Sequence, residues 1–262
     1  MTLTEKFGEI SRLKSEIDSN PRSPEWDEDF LESVKIDFTY SSNKIEGSKL
    51  TYGQTLQLLR DLVTPRNVAP EDMLSAINHK KALDLVFTDY NASKISEERI
   101  RSLHAVLMKD VDQWSDYAQY SPGRYKMFEN HTQRESGKIH SYLHPDQVPN
   151  AMAELISETN YEVNNAGTNS IGTHPLTIAT NFHLRLLNEI HPFADGNGRI
   201  GRIFMNLILI RAGFPPIFIK EVNRSEYMAC FENSDSSGML NFMADRLLES
   251  LRAKLDFIAN QT

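Results

Sequence analysis

The stretch PLTIATNFHLRLLNEIHPFADGNGRIGRIFMNLILI, residues 175–210, decides the fold of this chain. Its first residue, Pro175, is of the type favoured at the first position of a helix. Apolar residues then recur with the helical period as far as Ile190, and a second apolar-periodic segment begins at Ile200. A polar, glycine-containing loop lies between them. The stretch therefore predicts two helices joined by a loop that starts at His191.

Helical periodicity continues outward over most of the chain. The exception is the polar segment 121–145, whose glycines and alternating residues at 138–143 predict a loop with a β-hairpin. We therefore predict an all-α fold, one compact helical bundle with a small β-hairpin flap. The other helices are expected over residues 4–17, about 27–46, from the cap at Thr51 through Leu62, from Pro70 through Leu83, from the cap at Ser96 through Leu107, and over 149–163 and 239–258.

Composition and charge exclude several classes of protein. The 262 residues carry a net charge of −8 without a dense cluster of Lys and Arg, which argues against a partner such as duplex DNA or an anionic membrane. No apolar run is long enough to cross a bilayer, and we see no secretion signal. The single cysteine, Cys230, excludes an intramolecular disulfide and is expected to be a small buried hydrophobe. These features fit a cytoplasmic protein.

The loop beside the second helix has the features of a phosphate site. Gly196, Asn197 and Gly198 allow a tight turn, so that successive backbone N–H groups can point at one anion. The start of the helix adds unsatisfied N–H groups and the positive end of the helix dipole. Arg199 and Arg202 are three residues apart, and we expect them to share a helix face and to clamp further phosphates. The pattern predicts a site for a nucleotide.

Three further residues of this loop indicate chemistry. His191 ends the preceding helix and is free to act as a base at neutral pH. Asp195 offers a hard oxygen ligand, suited to a Mg²⁺ ion carried by the phosphates. Phe193 is expected to anchor the loop in the core. Together with the phosphate site, these residues predict a nucleotide-dependent transferase.

Residues 191–202 also match in full the signature of the Fic (filamentation induced by cAMP) family, His-x-Phe-x-Asp/Glu-Gly-Asn-Gly-Arg-x-x-Arg. The chain resembles this family over roughly residues 95–242. The resemblance implies a helical bundle with a β-hairpin flap near the active site. It also implies a protein adenylyltransferase, which transfers AMP from ATP to a Ser, Thr or Tyr hydroxyl of a target protein, itself included, and releases pyrophosphate.

The resemblance assigns a role to each residue of the signature. His191 would deprotonate the target hydroxyl, and Asp195 would hold Mg²⁺. The turn at residues 196–198 would bind the α- and β-phosphates of ATP, and Arg199 and Arg202 the β- and γ-phosphates. Tyr227 is implied to pack against adenine, with Asn233 or Ser234 nearby.

The resemblance extends to the flap. Residues 122–126, Pro-Gly-Arg-Tyr-Lys, are similar to the family's approach to the flap, although Lys126 stands where Arg is common. The segment from Ile139 to Pro145 would align the target chain by strand-like backbone pairing. For Tyr142, an edge contact to nucleotide or target and an ordinary hairpin aromatic both stay open. The flap residues in question are Ile139, His140, Ser141 and Tyr142.

The segment 42–47, Ser-Asn-Lys-Ile-Glu-Gly, resembles the family's inhibitory motif Ser/Thr-x-x-x-Glu-Gly/Asn. By itself it is a helix end with a glycine stop and a solvated carboxylate. The resemblance implies that Glu46 pairs with Arg202, oriented by Ser42 one helical turn earlier, so that ATP binds with its phosphates displaced. We therefore predict a self-inhibited enzyme, with an N-terminal helical region at 1–94 and a Fic core at 95–262.

Other functions stay open. Doc-like relatives, which transfer a phosphoryl group, have a Lys in place of the second glycine of the motif. This chain has Gly198 at that position, which disfavours phosphoryl transfer. A non-enzymatic nucleotide-sensing regulator, a protein-binding module and an enzyme that removes AMP are the alternatives. The residues after Arg202 are read as helices that complete the bundle, so no DNA-binding domain is expected. His183 is expected to be a core histidine. The sequence leaves open a homo-oligomer, the target and the signal that releases Glu46.

Overall fold

The computed structural model describes residues 1–20, 28–88, 94–111, 121–134, 136–167, 170–232 and 234–260. Within these ranges the chain forms helices and one small antiparallel hairpin, which confirms the predicted fold class. The helices are α1 (Leu3–Ser19), α2 (Glu28–Ile45), α3 (Tyr52–Leu59), α4 (Pro70–Thr88), α5 (Glu97–Leu107), α6 (Val148–Asn164), α7 (Pro175–Leu184), α8 (Asn197–Arg211), α9 (Arg224–Glu232) and α10 (Ser236–Asn260). The strands are β1 (His131–Gln133) and β2 (Ile139–Ser141).

Helix α8 lies at the centre of the bundle. Its residues are buried almost all the way round, from Ile200 to Ile210, because α7, α2, α4 and α5 all pack against it. A helix that is apolar on every side is stable only in such an environment. The burial places the N-terminal end of α8, and the loop that precedes it, beside the ends of several other elements.

Local signals start and end the helices near the site. Thr51 caps α3 with its side chain, Ser96 caps α5, and Pro175 is the first residue of α7, all as predicted. Gly47, with a φ of 97°, follows the end of α2, where the left-handed backbone favours glycine. Gly47 therefore fixes where α2 stops, and with it the position of Glu46.

The end of α7 differs from the prediction. Instead of an α-helix that continues to Ile190, the residues Arg185–Ile190 form a π-helical turn. The backbone N–H of His191 donates to the carbonyl of Leu186 at 2.8 Å, five residues earlier. Such a wider turn inserts one extra residue and is common at functional sites. It delivers His191 in a left-handed conformation, with a φ of 47°.

The N-terminal helices are packed onto the rest of the bundle. Helix α1 runs along α10, where the buried Lys6 donates to the side chains of Asn241 at 2.8 Å and Asp245 at 2.6 Å. Helix α2 reaches α8 with its C-terminal turn. The boundary at residue 94 stays a prediction. No helix among the described residues is long and apolar enough to span a membrane.

Candidate active site

A cavity of about 430 Å³ lies between the flap, the loop before α8, the end of α2 and helix α9. Residues that are far apart in the sequence meet in its wall. The predicted site residues that line it are Glu46, Tyr142, His191, Asp195, Asn197, Gly198, Arg202 and Tyr227. The structure therefore brings the signature, the flap and the inhibitory motif together at one cavity.

The conformation of the loop before α8 is fixed by side-chain hydrogen bonds and packing within the loop. The side-chain amide of Asn197 accepts from the backbone N–H of Phe193 at 2.9 Å and donates to its carbonyl at 2.8 Å. Phe193 is fully buried and stacks on His104, with ring centroids 3.7 Å apart, so it anchors the loop as predicted. Gly196 lies directly before α8 with a φ of 77°, which only glycine adopts freely. Asn197 therefore offers its backbone to an anion, while its side chain holds the loop.

His104 is a site residue that sequence reasoning missed. Its Nε2 donates to the carbonyl of Asp195 at 3.0 Å, and its Nδ1 accepts from the backbone N–H of Gly123 at 2.9 Å. Both bonds fit a neutral ring, and burial lowers the pKa of His104 to about 4. His104 therefore connects the segment that leads to the flap with the loop before α8. A single histidine on the apolar face of α5 gives no sign of this role in the sequence.

His191 has the protonation state that a base requires. Its Nδ1 lies 3.0 Å from the carbonyl oxygen of Leu187. Because a carbonyl only accepts, Nδ1 carries the proton and the lone pair lies on Nε2. Burial lowers the pKa of His191 to about 4, so the ring is neutral at pH 7. Tyr142 stacks on this imidazole, with ring centroids 3.9 Å apart, which favours a role at the site over that of an ordinary hairpin aromatic.

Arg202 is buried and holds Glu46. Its Nη2 donates to Oε1 of Glu46 at 2.6 Å, and its Nε and Nη2 donate to the hydroxyl and the carbonyl of Ser42, each at 3.0 Å. Burial alone would raise the pKa of Glu46, but the charges of Arg202 and Arg199 outweigh it and lower the pKa. A Cβ added to Gly198 would overlap Oε1 of Glu46. The carboxylate therefore lies over the first turn of α8, where the sequence predicts phosphate.

Arg199 occupies a different environment from Arg202. It is buried away from the cavity wall, where Nη1 donates to Ser75 of α4 at 2.8 Å and Nη2 lies 3.4 Å from the carboxylate of Asp195. The two arginines do not face the cavity together in this conformation, because the guanidinium of Arg199 turns towards acceptors on Ser75 and Asp195. Arg202 lines the cavity, and the role of Arg199 as a phosphate ligand stays a prediction.

Asp195 fits a magnesium ion only in combination with a bound nucleotide. Its side chain is half exposed and lies in the cavity wall, next to the first turn of α8. Within the described part of the chain, no group of three or more His, Cys, Asp or Glu side chains could hold a metal by itself. Magnesium commonly takes one or two carboxylates and completes its shell with phosphate oxygens and water. One carboxylate beside a phosphate site matches that donor set.

The residues predicted for the adenine pocket and for the flap lie in different environments, and their roles stay predictions. Tyr227 lines the cavity but is almost fully buried, and its hydroxyl lies 2.7 Å from Nε2 of His183, which is a core histidine as expected. Asn233 lies outside the described residues. In the flap, Nε2 of His140 donates to the carbonyl of Asn188 at 2.7 Å, while Ile139 is 63% exposed. Ser141 is exposed as well.

The cavity also contains polar residues that the sequence did not indicate. Arg134, from the turn of the flap, donates to the side-chain oxygen of Asn188 at 2.6 Å, and both residues line the cavity. Arg224, the first residue of α9, donates to the carbonyl of Ile45 at 3.1 Å. Arg224 thus holds the residue that precedes Glu46. No local pattern marks these residues, because their roles depend on partners far away in the sequence.

Comparisons with known proteins show which family this chain resembles. Residues 94–209 match the model of the Fic/DOC family. A protein adenylyltransferase Fic from Drosophila grimshawi is 30% identical over 214 residues, which cover 79% of this chain and 40% of that protein. The relative of the same name from Drosophila mojavensis is 28% identical, with 79% and 38% covered. The chain thus spans about two fifths of the length of these curated relatives.

A solved structure is similar over nearly the whole chain. A Fic domain containing signaling protein from Bacteroides thetaiotaomicron is 26% identical, with a TM-score of 0.84, and 96% of this chain and 97% of that chain are covered. Fic-1 from C. elegans shares the fold, with a TM-score of 0.78 at 20% identity, and 99% of this chain and 74% of that chain are covered. The similarity therefore includes the N-terminal helices that lie before residue 94.

Proposed function

We propose that this chain, which belongs to the Fic/DOC family through its residues 94–209, is a self-inhibited protein adenylyltransferase. It would transfer AMP from ATP to a Ser, Thr or Tyr hydroxyl of a target protein, itself included. One observation carries the proposal: the carboxylate of Glu46 is bound by Arg202 over the first turn of α8, in the same cavity as the free Nε2 of His191. The site therefore already holds an anion within reach of a base.

The binding part of the proposal rests on the anion site. The phosphates of ATP take the place of the Glu46 carboxylate, against the backbone N–H groups at residues 196–198 and the guanidinium of Arg202. Asp195 would hold Mg²⁺, which neutralises part of the phosphate charge when it is bound. Adenine would extend along the cavity towards α9, where Tyr227 lies in the wall.

The chemical part rests on His191. Nε2 takes the proton of the target hydroxyl as its oxygen attacks the α-phosphorus. A bond forms between that oxygen and the α-phosphorus, the bond from the α-phosphorus to its bridging oxygen breaks, and pyrophosphate leaves. The bond from Nδ1 to the carbonyl of Leu187 fixes the tautomer, and Tyr142 restricts the tilt of the ring. The exposed flap residue Ile139 lies on the strand that would align the target by backbone pairing.

The inhibitory part follows from competition for one guanidinium. While Glu46 occupies Arg202, the γ-phosphate lacks this ligand, and the α-phosphorus is not aligned for attack. Ser42 supports the closed state because its hydroxyl and its carbonyl both accept from Arg202. The resting enzyme is therefore largely inactive until the carboxylate of Glu46 leaves Arg202.

Labelled ATP tests the proposal directly. Incubation with ATP labelled at the α-phosphate should mark protein, and ATP labelled at the γ-phosphate should not. Intact-protein mass spectrometry should show the mass of one AMP added for each modified hydroxyl. Label from the γ-position alone would identify a phosphotransferase. Nucleotide binding without any label transfer, also in the Glu46→Gly variant, would point instead to a nucleotide-sensing regulator.

A further inference from the structure

The backbone of His191 needs support that the signature residues do not provide. Its left-handed conformation, with a φ of 47° and a ψ of 64°, is unfavourable for a residue with a Cβ. It also follows a π-helical turn, whose last carbonyls lack the usual helical partners. A conformation of this kind persists only where neighbouring groups hold it in place.

Lys126 holds the chain on both sides of His191. Its backbone N–H donates to the carbonyl of Pro192 at 2.8 Å, and its Nζ donates to the carbonyl of Ile190 at 3.2 Å. The carbonyls directly before and after the histidine are thus bound by one residue. Lys126 is only 4% exposed, although a lysine is rarely buried without such partners.

Asn130 completes the support. Its Oδ1 accepts from Nζ of Lys126 at 2.6 Å, and its Nδ2 donates to the carbonyl of Phe193 at 3.2 Å. Its own carbonyl accepts from the backbone N–H of Tyr142 at 3.3 Å, and Nζ of Lys126 lies 5.8 Å from the centre of the Tyr142 ring. The pair therefore contacts both the backbone on either side of His191 and Tyr142, the aromatic residue that stacks on the imidazole.

We infer that Lys126, with Asn130, is a positioning residue that fixes the imidazole of His191 for proton transfer. This inference rests on the proposed function, because it concerns the same base. Neither residue lines the cavity, so neither is expected to contact ATP or the target hydroxyl. Loss of the lysine should slow turnover without weakening nucleotide binding, since a misplacement of about 1 Å at a reacting group can cost about a hundredfold in rate.

The test uses Lys126→Met, which keeps the length of the apolar stem, and Lys126→Arg, which restores a cation with several donors. In the Glu46→Gly background, Lys126→Met should lower kcat for AMP transfer between about tenfold and a hundredfold, with KM for ATP changed less than about threefold. Lys126→Arg should recover most of the rate. Asn130→Ala, at a half-buried position, is the milder variant and should lower kcat in the same way but less.

Lys6→Met is the matched control. Lys6 is also buried, at 6% exposure, and also donates to an Asn side chain, but it lies between α1 and α10. Its replacement should lower the melting temperature while kcat stays within about twofold of its parent. If Lys126→Met loses stability like the control but keeps its kcat, the inference is overturned. The same holds if ATP binding falls together with kcat in both Lys126→Met and Lys126→Arg.

A second readout does not depend on activity. Nitrogen-15 NMR of the histidine rings, with the signal of His191 assigned from His191→Ala, should show the proton on Nδ1 in the parent protein. Lys126→Met should give a mixture of tautomers, and Lys6→Met should not. If neither the parent protein nor any variant transfers AMP, but Lys126→Met still changes the tautomer of His191, the proposed function fails and the positioning role stands. If AMP is transferred and the tautomer of Lys126→Met is unchanged, the positioning role fails alone.

Discussion

Replacing Glu46 with glycine should raise AMP transfer about ten- to a hundredfold. The replacement removes a charge-assisted hydrogen bond of 2.6 Å to Arg202, whose side chain is only 3% exposed. Such bonds contribute about 1.5–3 kcal/mol, and each 1.4 kcal/mol corresponds to about a factor of ten. The Glu46 side chain is 40% exposed, so solvent screening favours the lower part of this range.

The glycine should not damage the fold. Position 46 follows the last residue of α2 and precedes Gly47, which already adopts a φ of 97°. Glu46→Gln is the matched isosteric variant, because it removes the charge while it keeps the length of the side chain. Glu46→Gln should give part of the rise, since an amide oxygen still accepts from Arg202 but more weakly than a carboxylate.

The assay measures self-modification, with α-labelled ATP and intact-protein mass, for wild type, Glu46→Gly, Arg202→Ala and the double variant. Arg202→Ala should be inactive, because it removes the partner of Glu46 and a phosphate ligand together, and the double variant should be inactive for the same reason. Glu71→Gly, at an exposed acid in the first turn of α4, should match wild type. A Glu46→Gly protein that binds ATP but is no faster than wild type would refute the inhibitory role.

Three further outcomes are expected at the signature. His191→Ala should abolish transfer while the Kd for ATP stays within a few-fold, as calorimetry would measure, because the imidazole serves the hydroxyl and not the phosphates. Since burial lowers the pKa of His191 to about 4, kcat/KM should stay level from pH 8 down to about 5 and fall as the ring protonates below that; a fall centred near 6.5 would contradict the burial. Asp195→Ala should remove the Mg²⁺ dependence of ATP binding, and an unchanged Mg²⁺ titration would place the metal elsewhere.

The sequence predicts best what local chemistry decides. Thr51 and Ser96 cap helices because their side chains accept from N–H groups three residues later, and Pro175 starts a helix because its missing N–H costs nothing there. The hairpin within residues 121–145 is predicted from glycines and short alternating segments, whereas its register, with His131 opposite Ser141, comes from the structure alone. None of these features depends on contacts between distant parts of the chain.

Several features that need distant partners escaped prediction, although the pair of Glu46 and Arg202 is expected from the family resemblance. The π-helical turn before His191 has no sequence signal, since its stability depends on donors such as Lys126, more than sixty positions earlier in the chain. His104 is another case, because an isolated histidine on an apolar helix face usually lies in the core. Its bond to the carbonyl of Asp195 joins residues 91 positions apart.

The two arginines of the signature illustrate the limit most clearly. Their spacing indicates one face of α8, yet Arg199 pairs with Ser75 on α4, and Arg202 pairs with Ser42 and Glu46 at the end of α2. A buried guanidinium takes the orientation that satisfies its donors, so the packing of neighbouring helices decides its direction more than helix periodicity does. For Arg202 the available acceptors include a carboxylate that competes with phosphate. The same packing that buries the arginine therefore also makes the site dependent on the position of α2.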